Sequence, residues 1–172
     1  MNGPITSAQG SAGKSTIFFV NDQNNLCIRE AVQEGEKNSK EKPLNYKDGY
    51  VEIANQDPEC GSKDLAALAY EWGDKWSTRV YYSDKNNMIQ EVCKDIPKQA
   101  VQDGSSSPKW TMGSLGQSNL DLQAVPGTSI SAHINYNSGQ LKVYFYPQKE
   151  PKRIALVWTK LGDTSWQQKY VV

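Results

Sequence analysis

The stretch Thr78-Arg79-Val80-Tyr81-Tyr82-Ser83-Asp84 has two near-copies elsewhere in the chain, Thr16-Ile17-Phe18-Phe19-Val20-Asn21-Asp22 and Leu141-Lys142-Val143-Tyr144-Phe145-Tyr146-Pro147. Aligning Ile17, Arg79 and Lys142 separates them by 79 − 17 = 62 and 142 − 79 = 63 residues. All three are β-branched and aromatic, the composition of strands. Similarity at a fixed spacing marks a repeat architecture, in which one supersecondary unit recurs.

The flanks repeat as well. Ile5-Thr6-Ser7-Ala8-Gln9, Asp64-Leu65-Ala66-Ala67-Leu68-Ala69-Tyr70 and Ser129-Ile130-Ser131-Ala132-His133-Ile134-Asn135 precede the three copies. The strands expected after them are Ile28-Arg29-Glu30-Ala31-Val32, Ile89-Gln90-Glu91-Val92-Cys93 and Ile154-Ala155-Leu156-Val157-Trp158. Trp110-Thr111-Met112-Gly113-Ser114-Leu115 and Trp166-Gln167-Gln168-Lys169-Tyr170 close the second and third copies, and the first closes between Leu44 and Ile53. The pattern predicts an all-β fold of three four-stranded antiparallel repeats, approximately 1–56, 57–122 and 123–172, in one domain. Consecutive apolar residues in Val80-Tyr81-Tyr82 and Phe18-Phe19-Val20 mean that both sheet faces need cover. Propeller blades meet that demand, each packed between two neighbours. Three blades do not close a ring, so the end blades point to assembly, most simply a homodimer of six blades, or to a longer chain.

Composition narrows the function classes. The 172 residues hold nine Tyr, five Trp and three Phe, which favours rings with a polar edge. Nineteen basic residues balance nineteen acidic ones, which lacks the charge footprint of a nucleic-acid binder. No apolar run is long enough for membrane insertion, and Met-Asn-Gly-Pro lacks the features of a signal peptide. A cytoplasmic or unconventionally secreted protein is expected. Cys27, Cys60, Cys93 and the single histidine, His133, have no metal-ligand spacing, so neither a metal nor a cofactor is expected. The segments Gln33 to Asp48 and Lys98 to Lys109 read as solvated loops. Ala8-Gln9-Gly10-Ser11-Ala12-Gly13-Lys14-Ser15 matches a relaxed phosphate-loop pattern. A strand follows it where that chemistry needs a helix, so it reads as a hairpin turn.

The block Leu65-Ala66-Ala67-Leu68, Trp72-Gly73, Thr78-Arg79-Val80-Tyr81-Tyr82, Ile89-Gln90-Glu91, Trp110, Gly113 and Leu115 resembles the repeat of the fungal fucose-specific lectins. That resemblance implies a six-bladed propeller with L-fucose pockets between adjacent blades. It implies that an Arg and a Glu of one blade hold sugar hydroxyls while a Trp of the next packs on the apolar side. Carried onto this chain, the full pocket joins Arg79 and Glu91 to Trp166. A weaker second pocket offers Glu30 and Trp110, with Ile17 where Arg belongs, and a third has Lys142 and Leu156 in place of Arg and Glu. Fucosylated glycans become the expected partners, and no enzyme activity is implied.

The same residues admit a plainer account. Arg79 and Glu91 can be a cross-strand ion pair, and Trp110 and Trp166 can be packing residues. The molecule would then be a degenerate propeller that binds proteins. His133, on an inner strand, reads as a core or channel-lining residue. A glycosidase would need two converging carboxylates. Glu30 and Glu91 read instead as equivalent positions in different blades, with Asp84 the other candidate.

Overall fold

The structure is a computed structural model that describes residues 4–9, 14–32, 46–54, 58–103 and 108–171. Most of the expected loop from Gln33 to Asp48, the centre of the one from Lys98 to Lys109, and the turn within the phosphate-loop-like segment lie outside the described residues.

Among the described residues, twelve strands form three four-stranded antiparallel sheets. The first holds β1 (Ile5–Gln9), β2 (Ser15–Val20), β3 (Leu26–Ala31) and β4 (Tyr46–Tyr50) in that order. The second holds β5 (Cys60–Trp72), β6 (Lys75–Asp84), β7 (Ile89–Pro97) and β8 (Thr111–Met112). The third holds β9 (Ser131–Asn135), β10 (Gln140–Phe145), β11 (Ile154–Lys160) and β12 (Gln167–Val171). The three first strands lie beside one another at the shared centre, β1 against β5 and β5 against β9. Ala67 of β5 donates its N–H to Thr6 Oγ1 of β1 at 3.3 Å. Sheets radiating from neighbouring inner strands are the blades of a propeller.

Two hydrophobic clusters fill the spaces between blades. Phe18, Val20, Leu26 and Ile28 of the first meet Leu65, Val80, Tyr82 and Val92 of the second. Leu68, Tyr70 and Tyr81 of the second meet Leu141, Val143, Phe145 and Val157 of the third. The middle sheet is thus covered on both faces, and Val80, Tyr81 and Tyr82 are all buried. In the outer blades the alternation is cleaner: β2 and β10 bury every second residue.

The repeat is also written into its turns. Asn24 and Asn87, 87 − 24 = 63 residues apart, both take the left-handed conformation at φ 63° and 59° in the β2–β3 and β6–β7 hairpins. Asparagine tolerates that conformation better than most residues. Asp84 braces the second of these turns by accepting the N–H groups of Asn86 and Met88.

Two elements differ from expectation. Residues Lys98–Asp103 form a short helix, α1, where a loop is expected, and β8 is only two residues long. Trp110 and Trp166 each stand just ahead of the strand they were expected to open. β5, β6 and β7, with 13, 10 and 9 residues, outrun the strands of the other blades, so the middle blade projects beyond its neighbours. Among the described residues no helix is long and apolar enough to cross a membrane.

Phe145 is buried between the second and third blades. Phe145→Ala is expected to lower stability by about 3–5 kcal/mol, the range for an aromatic ring deleted from a core. Urea unfolding with an unchanged m-value would read it, and a loss under about 1 kcal/mol would mean that the blades are not packed as described.

Candidate functional site

The space between the second and third blades opens into a cleft of about 510 Å³, lined by Arg79, Glu91 and Trp166. Strand alternation puts two of these on one face: Tyr81 lies opposite Glu91, and Arg79, two residues earlier, lies opposite Cys93. Continuing along β7, Asp95 falls on the same face, diagonal to Arg79. Asp95 is the residue that sequence reading missed, although the alternation Glu91, Cys93, Asp95 held the signal.

Asp95 is the closest partner of Arg79. Nη1 of Arg79 donates to Asp95 Oδ1 at 2.6 Å and Nη2 to Oδ2 at 3.5 Å, a forked arrangement. Nη1 also donates to the Thr78 carbonyl. The expected Arg79–Glu91 pair is present but longer, with Nε 3.6 Å from Oε1. The guanidinium lies 5.7 Å from the centre of the Tyr70 ring. Its side chain is 15% exposed and that of Glu91 only 3%.

Glu91 is buried but has partners. Tyr81 donates its hydroxyl to Oε1 at 3.1 Å, and the Leu115 N–H donates to Oε2 at 3.2 Å. A Cβ at Gly113 would collide with this carboxyl group, so the chain can pass over Glu91 only because position 113 is glycine. There β8 ends, and a 3-10 turn, Leu115–Gln117, follows. Burial pushes the Glu91 carboxyl above the usual carboxylate range, against the pull of Arg79 and of hydrogen bonds from Leu115, Tyr81 and Cys93. Burial also works against Asp95, but the bond and charge of Arg79 outweigh it and hold that carboxyl below 3.8. Arg79 is itself partly desolvated, yet Asp95 and its neighbours raise it further, so it stays charged.

Trp166 forms the opposite wall. It meets Tyr81 edge-on at 6.4 Å and 79°, and its Nε1–H donates to Ser114 Oγ at 2.9 Å. That bond crosses between blades and fixes the indole plane.

The cleft between the first and second blades follows the same plan with other residues. Trp110 meets Phe18 edge-on at 5.9 Å and 88°, as Trp166 meets Tyr81. Phe18 therefore stands where Tyr81 stands, and Thr16, not Ile17, where Arg79 does. Since Phe18 pairs with Ile28 and Thr16 with Glu30, Ile28 holds the place of Glu91 and Glu30 that of Cys93. The expected equivalence of Glu30 and Glu91 is thus corrected. The apolar runs Ile17-Phe18-Phe19 and Val80-Tyr81-Tyr82 match almost as well after a one-residue slip, but that slip turns every side chain to the other face. Glu30 and Trp110 do share a cleft, with Lys94 of the second blade between them. Its Nζ is 3.5 Å from Glu30 Oε1 and 5.8 Å from the Trp110 ring centre.

On the outer face of the third blade, Lys142 lies opposite Trp158 and Tyr144 opposite Leu156, the relation that Arg79 and Glu91 have in the second. His133 is exposed there and stacked on Tyr144 at 5.5 Å and 16°, not in the core. Glu30, Glu91 and Asp84 stand in two clefts and a turn, so no pair converges on one point. Among the described residues no group of three His, Cys, Asp or Glu side chains is placed to hold a metal ion.

Radiating four-stranded blades around shared inner strands, with a cleft between each pair, define a three-blade propeller arc. No protein-family model matches the sequence, and no curated protein matches it. Solved structures do. A fucose lectin from Kordia zhangzhouensis, in complex with methyl-fucoside, is 17% identical with a TM-score of 0.57 over 96% of this chain and 97% of that one. AofleA from Arthrobotrys oligospora, an arginine-to-alanine triple mutant, is 14% identical with a TM-score of 0.65. SapL1 lectin, in complex with alpha methyl fucoside, is 20% identical with a TM-score of 0.60. The chain spans 41% of the AofleA chain and 46% of the SapL1 chain. These likenesses establish the fold.

The Arg79–Asp95 bond makes a pH test. An unfolded Asp95 takes up its proton near pH 3.8, while the folded carboxyl holds out to lower pH. Its contribution is therefore complete above that value and is lost as pH falls toward the depressed folded value. Glu91 is shifted the other way and shares Arg79 with Asp95, so its titration differs between the two proteins and the comparison is read in acid. The stability difference between wild type and Asp95→Asn is expected to shrink as pH falls below about 3.8. A difference that widens in acid would contradict the bond.

Proposed function

We propose that the chain is a carbohydrate-binding lectin whose cleft between the second and third blades takes L-fucose or a fucosylated glycan. The observation that carries this is the meeting of a guanidinium, a carboxylate and an indole around one cleft. Fucose has vicinal hydroxyls on one side and a methyl group on another. Among the described residues, Arg79 keeps one Nη2 hydrogen without a protein acceptor, which serves a ligand hydroxyl. Glu91 supplies acceptors and Trp166 an apolar wall. The resemblance in fold to lectins solved with methyl-fucoside supports the same ligand. Hydrogen bonds to charged partners contribute about 1.5–3 kcal/mol each. One such cleft binds weakly, and linked sites raise avidity by about 10²–10⁴ when their geometry suits the target.

The three repeats then act as one half-propeller, and a second copy closes the ring. Among the described residues, Ile17 and Phe19 on the outer face of the first blade, and Tyr144, Leu156 and Trp158 on that of the third, have no neighbouring blade. They are the counterparts of side chains that the middle blade covers. Burying them against a second copy repeats an interface the chain already makes twice.

One observation favours a second reading. Glu91 is 3% exposed and already bonded to Tyr81 and Leu115, so the charged cluster can be a structural brace in a protein-binding module.

Calorimetric titration with L-fucose separates the two. The lectin reading expects heat that saturates near one site per chain, with affinity lost at least about tenfold in Arg79→Lys, which keeps the charge but not the fork. That variant avoids leaving the buried Glu91 and the part-exposed Asp95 without a cation, as Arg79→Ala would. Absence of heat from folded wild type at millimolar sugar would favour the protein-binding module. Sedimentation equilibrium is expected to give twice the chain mass, and a strict monomer would refute ring closure by self-association.

A further inference from the structure

We propose that Trp72 forms a second subsite in this cleft, which holds the sugar unit next to fucose, so that the protein prefers a fucosylated oligosaccharide to the monosaccharide. The inference rests on the lectin reading of the cleft and extends it.

The cleft is larger than Arg79, Glu91 and Trp166 account for. Its volume of about 510 Å³ also takes in the hairpin tip Trp72-Gly73-Asp74-Lys75 and, across from it, Asp163 and Thr164. This tip exists because the middle blade outruns its neighbours. Leu68 is the cross-strand partner of Arg79, and Trp72 lies four residues further along β5. That is about 13 Å between backbone positions, and the Arg79 guanidinium, over the Tyr70 ring, reaches part of the way toward Trp72 along the floor of the cleft.

Trp72 is built as a platform. It is a large apolar side chain left 49% exposed at the rim of a polar cleft. Its indole spans from the second blade to Gly162 of the third, where a Cβ would collide with the indole nitrogen. Gly162 has φ 81°, a conformation that favours glycine, so the turn both permits and requires the notch in which the ring rests. The ring is thereby held while one side of it stays open. An aromatic face flanked by polar groups suits a pyranose, which has an apolar face of C–H groups and a hydroxylated edge.

The flanking charges set the class of sugar. Asp74, Lys75, Lys160 and Asp163 line this end of the cleft, two of each sign. Asp163 is tied down by the N–H groups of Thr164 and Ser165, at 2.7 and 3.1 Å, which hold its carboxyl below the usual aspartate range. A balanced rim recognises a neutral unit, such as galactose or N-acetylglucosamine, and gains nothing from a sialic or uronic acid.

The test uses four probes with the intact chain: methyl α-L-fucoside, and fucose linked α1,2 to galactose, α1,3 to N-acetylglucosamine and α1,6 to N-acetylglucosamine. Wild type is expected to bind at least one disaccharide roughly three- to tenfold tighter than the methyl fucoside. Trp72→Ala is expected to erase that gain while leaving the methyl fucoside affinity within about twofold. Trp72→Phe is expected to restore part of the gain. If wild type binds methyl fucoside but no disaccharide more tightly, the subsite is wrong and the lectin reading stands. Equal weakening of all probes by Trp72→Ala would make Trp72 a general brace between blades and would overturn the proposal. If methyl fucoside itself fails to bind wild type, the lectin reading falls and the subsite falls with it.

Discussion

Everything else in this molecule depends on the middle sheet being buried on both faces. Val80 and Tyr82 pack toward the first blade while Tyr81, between them, packs toward the third. A strand that is apolar on both faces cannot stay in water, and its two neighbours give it the cover it needs. The inner strands β1, β5 and β9 then have to converge, and the blades fan apart toward the outside. The clefts are a consequence of that fan. They open where adjacent blades diverge, and the side chains beside the hydrophobic contact become their floor.

The second cleft contains a buried charge cluster, which most proteins avoid because desolvating ions is unfavourable. Here the ions are satisfied locally. Asp95 holds Arg79 in a fork, and Tyr81 and the Leu115 amide hold Glu91. Gly113 lets the backbone come close enough to supply that amide. Such a cluster is rigid before any ligand arrives, which lowers the ordering penalty of binding a polar molecule. The first cleft shows the contrast. With Thr16 and Ile28 in the corresponding places, no such cluster forms among the described residues, and Lys94 occupies the space beside Trp110. Two clefts of one plan thus differ in chemistry through three or four side chains.

Much of this was legible in the chain. The near-copies around Ile17, Arg79 and Lys142 announced the repeat because each repeat has to bury a strand of the same kind. Glycine and asparagine between the apolar runs marked the hairpins. The family resemblance groups Arg79, Glu91 and Trp166, and the three share one cleft. The helix Lys98–Asp103 was not legible, because six residues between two blades carry too little periodicity to separate a helical turn from a loop.

The all-β class and the threefold repeat follow from the chain alone, because strand composition and hydrophobic spacing act locally along it. The register and its consequences come from how the strands pair in three dimensions. Whether Ile17 or Thr16 matches Arg79, and whether Glu30 or Ile28 matches Glu91, turns on a one-residue slip that the apolar runs tolerate but the faces do not. The grip of Asp95 on Arg79, the place of Lys94 beside Glu30 and the passage of Trp72 over Gly162 were likewise invisible in the chain. Each is a contact between residues on different strands or different blades, and its distance is set by how sheets pair and pack rather than by separation along the sequence.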